Sequence, residues 1–219
     1  MIYATMCIGN EWVSKYKDSI NRFAKQNTLF VLTDNISVFE NCNLIKYKRD
    51  VFSYYEKINL ITHLLKNHKE RITYIDSDWL QYYNTKIEFN DDSIYTYEIF
   101  DLKNPPLSDY FKETEYTIIS KILSKVGVSI EGWYIPEAII SFPYHLELEN
   151  IISDFNKLQT PLEEMYNTIP IREAVQRYSE TGIGYGEGWA ITAIASKYNI
   201  KVRDFVQFPN NSWRKIGLI

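Results

Sequence analysis

The sequence predicts an α/β fold with a mixed sheet flanked by helices, in a single domain spanning residues 1–219. Short apolar runs alternate with helical periodicity through the first half, in the order strand, helix, strand, strand, helix, strand. The chain has 219 residues, within the roughly 250 that one hydrophobic core serves. Its composition, 45% hydrophobic and 24% charged, is close to the globular average and fits neither a disordered chain nor a coiled coil.

Residues 1–8 (MIYATMCI) read as a buried strand ended by Gly9-Asn10. Asn10 is placed to cap the next helix, whose apolar positions Trp12, Val13, Tyr16, Ile20 and Phe23 have helical spacing. Residues 29–33 (LFVLT) form a second strand closed by Asp34-Asn35, and 43–47 a third. The stretch 52–67 is a second helix with Tyr55, Ile58, Ile61, Leu64 and Leu65 as its stripe, and 71–75 (RITYI) is a strand running into Asp76-Ser77-Asp78-Trp79. Right-handed crossovers collect the carboxyl ends of parallel strands on one edge, where such sheets bind ligands. Thr5-Met6-Cys7, Asp34 and Asp76-Ser77-Asp78 are therefore expected on one rim.

The second half is less regular. Residues 93–97 read as a strand, and Asn104-Pro105-Pro106 marks a loop that has no place in a sheet interior. Residues 116–126 are helical, 132–142 a strand pair or a strand bulged around Pro136, and 146–166 and 171–178 helices. A glycine-rich stretch at 181–188 leads to a helix at 189–198 and a short strand at 201–205. There is no internal repeat, low-complexity tract or linker.

A net charge of −4 and a pI near 5.5 argue against a general nucleic-acid binder, which needs a basic surface to displace counterions, though a local basic groove stays open. Mean hydropathy is −0.30 and no apolar run approaches the ~18 residues of a membrane span. Residues 1–9 lack the basic start and small-residue cleavage site of a signal peptide, so they are read as structure and a cytoplasmic location is expected. Two cysteines, Cys7 and Cys42, make no disulfide framework or sulfur site, and Cys7 in its apolar run reads as a small core residue. Three histidines without an H-x-x-x-H pair disfavour zinc, and His63 and His68 read as surface or packing residues on a helix. Any metal must then rest on carboxylates.

The strongest local signal is Ile72-Thr73-Tyr74-Ile75-Asp76-Ser77-Asp78-Trp79, an apolar strand that delivers two carboxylates to an open sheet edge. A turn past the strand end lets both acids approach one cation. Carboxylate oxygens suit Mg²⁺ or Mn²⁺, which hold a diphosphate and neutralise its departing charge. The alternative is an Asx-turn with both acids solvated. A second signal is Gly182 to Gly188, followed by Trp189: it matches neither G-x-G-x-x-G nor a P-loop, and it presents the single carboxylate of Glu187 at a helix start. There Glu187 either takes part in chemistry or complements the helix dipole. Glu137, between apolar residues in WYIPEA, is costly to bury unless paired or facing a cleft. Trp133, Tyr134 and Trp189 flank these two acids and form either core or a stacking platform for a sugar ring.

On these segments the chain resembles small GT-A-fold glycosyltransferases, Rossmann-like enzymes that use a nucleotide-diphospho sugar and a D-x-D metal motif. MIYATMCIG, LFVLTDN, YYEKINLITHLL and ITYIDSDWL fall in the family's order, closest to its retaining galactosyl-type and glycogenin-type members. The resemblance implies a nucleotide-binding half at 1–100 and an acceptor-side half at 101–219, with Mn²⁺ or Mg²⁺ and a UDP-sugar by default. Asp78 would be the principal metal ligand and Asp76 would contact the ribose or the metal. Thr5 would face the nucleotide, and Asp34 would hydrogen-bond base or ribose. Lys57 would approach the donor, its alternative being an exposed helix lysine. Glu187 is the first choice and Glu137 the second for a catalytic contact with sugar or acceptor hydroxyl. Glycogenin-type members carry a late histidine as third metal ligand; this chain has none after His145. Asn210 or Asn211 would complete the shell, and Arg214 or Lys215 would pair with phosphate oxygens, unless this segment is a plain basic tail. The rival enzyme reading, a phosphotransferase or phosphatase with Asp76 as nucleophile, expects Thr or Val where Leu80 stands. A non-catalytic nucleotide-sugar-binding module is the rival outside enzymes, and the acceptor is a hydroxyl compound, with nucleic acid the less favoured.

Overall fold

The computed structural model describes residues 1–49, 52–82, 89, 91–97, 99–104, 113–130, 132–136, 138–168 and 186–204. The strands are β1 (Ile2–Met6), β2 (Leu29–Thr33), β3 (Asn43–Lys46), β4 (Ile72–Ile75), β5 (Ile94–Thr96), β6 (Phe100–Asp101), β7 (Trp133–Tyr134), β8 (Ile139–Phe142) and β9 (Val202–Asp204). The helices are α1 (Asn10–Ala24), α2 (Glu56–His68), α3 (Glu113–Ser124), α4 (Leu148–Thr168) and α5 (Glu187–Lys197). The mixed α/β class is as expected. The chain divides into two compact units, Met1–Ser93 with Ala138–Leu148, and Ile94–Glu137 with Glu149–Ile219.

In the first unit the strand order is β3-β2-β1-β4-β8. The first four strands are parallel, and β8 runs antiparallel beside β4. Ala4 lies level with Phe30 and Tyr74, and Tyr3 with Leu29 and Thr73, so these two sets point to opposite faces. On the Tyr3 face sits α1, with the Phe23 ring edge-on to Tyr3 at 5.1 Å. On the Phe30 face sits α2, with His68 5.0 Å from the Phe30 ring. The helices take opposite faces because the chain first winds outward from β1 to β2 and then returns past β1 to β4; right-handed crossovers in opposite directions fall on opposite sides. The winding therefore reverses between β1 and β4, and a sheet of this kind opens its ligand crevice at the carboxyl ends of such a pair.

Expected elements shift at their ends for local reasons. Asn10 does not cap α1; it lies inside the first turn, and the cap position falls to Gly9, with φ 91° and no side-chain cap. The strand-to-helix corner needs a positive φ there, which glycine adopts at least cost. Of the expected stripe, Val13, Tyr16 and Ile20 are buried, whereas Trp12 is 49% exposed and stacks on Tyr16 at 5.1 Å. The second helix starts at Glu56 rather than at residue 52, after a turn in which Tyr55 N–H meets the Ser53 hydroxyl. Residues 132–142 do not make a strand pair: β7 pairs with β6, and β8 pairs with β4. Pro136 between them has no N–H to give a ladder.

In the second unit β5 and β9 run parallel, with Ile94 level with Val202. All of residues 187–195 in α5 are buried. Such an apolar circumference marks a core helix. Trp189 and Tyr134 are fully buried with ring centroids 4.9 Å apart, so they are core and not the exposed platform their sequence position allowed. Thr192 accepts the Ile135 N–H at 3.0 Å and donates to the Gly188 carbonyl at 2.8 Å, which clamps the helix to the segment after β7. A methyl group on Gly188 would sit 2.5 Å from the Ile135 carbonyl oxygen and inside the Tyr134 side chain. Neither a backbone carbonyl nor a fully buried ring yields easily. Gly188→Ala is therefore expected to destabilise the fold by about 3 kcal/mol in urea denaturation, at the upper end for overpacking; an unchanged midpoint would show the clamp to be soft.

Asp154 on α4 is buried and accepts hydrogen bonds from Lys157 at 2.7 Å, Tyr198 at 2.8 Å, and Lys197. Burial alone would raise its carboxyl, but these three donors outweigh it and hold it below the usual range. Among the described residues no helix is long and apolar enough to cross a membrane.

Candidate functional site

The expected rim is built at the β1/β4 reversal by three strand ends. Asp34, just past β2, takes the Gly9 N–H on both carboxylate oxygens at 3.1 Å. It thus ties the end of β2 to the corner before α1. Cys7 is buried beside it, its thiol pushed up to about 12 by burial and by the Asp34 charge, with a hydrogen bond to Ser77 working the other way. That thiol is unreactive and serves as packing, but it joins the ends of β1, β2 and β4 at one point. Thr5 lies one pleat deeper on β1, fully buried, with its hydroxyl lacking a hydrogen-bond partner.

Opposite, Asp76 starts a tight turn. Its N–H donates to the Ala138 carbonyl at 2.8 Å, and its own carbonyl accepts from Trp79 N–H at 2.9 Å and Leu80 N–H at 3.2 Å. The turn brings Asp76 and Asp78 close enough for each charge to feel the other. Lys57 sits in the first turn of α2, on the same stripe as Ile61 and Leu64, and is buried rather than an exposed helix lysine. Its ammonium lies 3.0 Å from Asp76 Oδ1 and 3.2 Å from Oδ2. Tyr74, fully buried two residues back on β4, donates its hydroxyl to Oδ1 at 2.9 Å. Lys57 also stands 5.6 Å from the Tyr74 ring centroid and 5.7 Å from that of Tyr54.

The two acids consequently differ. Asp76 is neutralised and oriented by protein groups. Asp78 is half-buried, and its carboxyl is pushed up to about 6, first by burial and then by the Asp76 charge, against the pull of Lys57 and Lys15. Among the described residues no cluster of three or more His, Cys, Asp or Glu side chains stands ready for a metal. Mg²⁺ and Mn²⁺ do not need one: they keep several waters and bind through one or two carboxylates plus substrate phosphates. Two carboxylates on one turn are a donor set of the kind a hard divalent cation takes.

Thr5, Asp34, Lys57, Asp76 and Asp78 thus all belong to the first unit. Glu187 is buried at the first turn of α5, in the second unit. Glu137, Arg214, Lys215, Asn210 and Asn211 lie outside the described residues, as do the helix expected at 171–178 and most of the glycine-rich stretch. Sequence reasoning passed over Tyr74, Tyr54, Gly9 and Lys15. Tyr74 was open to discovery, because a side chain two residues before Asp76 on a strand shares its face.

Fold and rim together define a doubly wound α/β unit with an acidic turn at its switch point. No protein-family model matches the chain, and no curated protein matches it. Among solved structures it is similar to the glycosyltransferase GlyE of Streptococcus pneumoniae TIGR4, at 7% identity and a TM-score of 0.39 over 94% of this chain. The apo-form of that enzyme matches at 8% identity and a TM-score of 0.33 over 93%. The chain spans less than half the length of those two chains, 45% and 44%.

Proposed function

We propose that this chain is a metal-dependent glycosyltransferase that moves a sugar from a nucleoside-diphosphate sugar, UDP by default, to an acceptor hydroxyl. The observation that carries the reading is the Asp76-Ser77-Asp78 turn at the β1/β4 reversal, with one carboxylate held by Lys57 and Tyr74 and the other short of a counter-charge. Asp78, with Asp76 beside it, would hold Mn²⁺ or Mg²⁺, which when bound supplies neutralising charge to the departing diphosphate. Asp76 keeps lone pairs for a ribose hydroxyl, and the Lys57 ammonium beside it faces the negative charge that builds on the leaving group. Thr5 and Asp34 belong to the nucleotide end of the site, and Arg214 or Lys215 would pair with phosphate oxygens.

In the transfer the acceptor oxygen bonds to the anomeric carbon, the carbon–oxygen bond to the diphosphate breaks, and the acceptor's proton passes to a base. Glu187 is the first candidate for that base or for a sugar contact, and Glu137 the second. Most of the rate would come from holding the two reactants in register. The test is a thermal-shift panel of nucleotide sugars with and without Mn²⁺. A true donor at 100 times its Kd stabilises the folded state by about 2.7 kcal/mol, so a shift of several degrees is expected for one donor, and only with the metal. If no nucleotide sugar moves the melting temperature in either condition, the reading fails.

A further inference from the structure

We infer that the Lys15 ammonium on α1 binds the diphosphate of the donor, on the side of the acidic turn opposite Lys57. This deepens the glycosyltransferase reading and rests on it. α1 and α2 lie on opposite faces of the sheet, α1 against Tyr3 and α2 against Phe30. Each helix brings one lysine to the Asp76-Ser77-Asp78 turn. Lys57 is buried and held by both oxygens of Asp76, at 3.0 and 3.2 Å, so it has little reach beyond that carboxylate. Lys15 is exposed, yet it stands near enough to Asp78 for the two charges to act on each other.

This exposed lysine is drawn to one place. Its ammonium lies 5.1 Å from the Tyr16 ring centroid and 6.0 Å from that of Trp12, and those two rings stack on each other. The Tyr16 hydroxyl comes first in raising its hold on the proton, and the Asp78 and Glu11 charges add to it, so Lys15 is a full cation at neutral pH. The Gly9 N–H on Asp34 and the Cys7 bond to Ser77 tie the corner before α1 to the ends of β2 and β4. That corner is also open: a methyl group on Gly9 would meet nothing within 4 Å.

The charge balance names the ligand. Lys57 offsets Asp76, and a divalent cation on the turn has Asp78 to neutralise before it meets any substrate. A diphosphate then brings more negative charge than the remainder cancels. An exposed ammonium on a flexible stem moves from Asp78 to a phosphate oxygen and supplies what is missing. A neutral acceptor hydroxyl would gain nothing from a second lysine here. The contact comes from the first helix, apart from the late Arg214 and Lys215 that the family resemblance puts forward for phosphate.

The experiment is calorimetric titration of the full chain with pyrophosphate and with UDP, each in the presence of Mn²⁺. The native chain is expected to bind both. Lys15→Gln should weaken each by about tenfold or more, the scale of one charge-assisted hydrogen bond, and Lys15→Arg should restore them to within about threefold. Mn²⁺ alone should bind Lys15→Gln no less tightly than the native chain. Uridine, followed by saturation-transfer-difference NMR, should give the same signal in both. If Lys15→Gln binds UDP and pyrophosphate as the native chain does, Lys15 is only a counter-ion of Asp78; the inference is overturned while the transferase reading stands. A uridine signal lost together with UDP affinity would place the effect at the nucleoside and overturn it too. Pyrophosphate binding that depends on Lys15, with no nucleotide sugar moving the melting temperature, would uphold the diphosphate contact and count against the transferase reading. A native chain that binds neither ligand would overturn the inference.

Discussion

Asp78→Asn is expected to make the protein more stable at neutral pH while abolishing its Mn²⁺-dependent hydrolysis of the donor. The Asp78 carboxyl stands at about 6 instead of its ordinary 3.8, through burial first and the neighbouring Asp76 charge second. A raised acid binds its proton more tightly in the folded state than in the unfolded one. Its contribution to stability is therefore present at low pH, is lost as pH rises between roughly 4 and 6, and is flat above that. At about 1.4 kcal/mol per pH unit, ionised Asp78 costs the native fold on the order of 3 kcal/mol at pH 7. The amide carries no charge and escapes that cost. Denaturant midpoints should thus favour the variant at pH 7.5 and converge at pH 4. In the same variant Mn²⁺ should no longer strengthen nucleotide binding, and donor hydrolysis should fall by roughly 100-fold or more, the scale of a lost charge-stabilising group. Equal midpoints at both pH values, together with an intact Mn²⁺ response, would remove Asp78 from the metal assignment. Stability and activity would part in opposite directions, as they do where a site is built on strained charge.

Lys57→Met should do the reverse. Methionine fills the space of the lysine stem within the α2 stripe, so packing is largely kept. What disappears is the cation 3.0 Å from Asp76. Removing one partner of a buried pair costs about 3–5 kcal/mol, and the 24% exposure of the Asp76 side chain reduces that to roughly 2–3 kcal/mol. Lys57 also pulls the Asp78 carboxyl down, so its loss leaves both acids of the turn in a more negative field. Millimolar Mn²⁺ should then raise the melting temperature of the variant by more than it raises that of the native chain, because the added cation supplies the missing charge. A variant that melts with the native protein and gains nothing extra from Mn²⁺ would show that the ion pair is thermodynamically idle.

Legibility in the sequence followed the range of the interaction involved. The apolar runs of β1, β2 and β4 and the stripe of α2 announced themselves because a buried strand or helix face is written in consecutive or periodic residues. β6, two residues long, escaped notice, since Phe100-Asp101 is a strand only by its pairing to Trp133-Tyr134. The segment at 132–142 read as a strand pair or a strand bulged around Pro136 because local pattern does not reveal a partner, and its two strands go to different ones. Trp189 and Tyr134 were open to either a surface or a core reading; burial is a property of everything packed around a residue, and no spacing rule contains it.

The same division holds at the rim. Residue order was enough to place Asp76 and Asp78 past the end of a buried strand, and to put Thr5 and Asp34 on neighbouring strands of one sheet, because chirality and short connections leave few ways to wind such a chain. Only the folded molecule could make the two aspartates unequal. Lys57 is 19 residues from Asp76 in the chain, yet it reaches that carboxylate because α2 returns across the sheet face that Tyr74 and Asp76 share. Charge, desolvation and orientation at a site depend on distances through space, and these exist only once the helices have taken their sides.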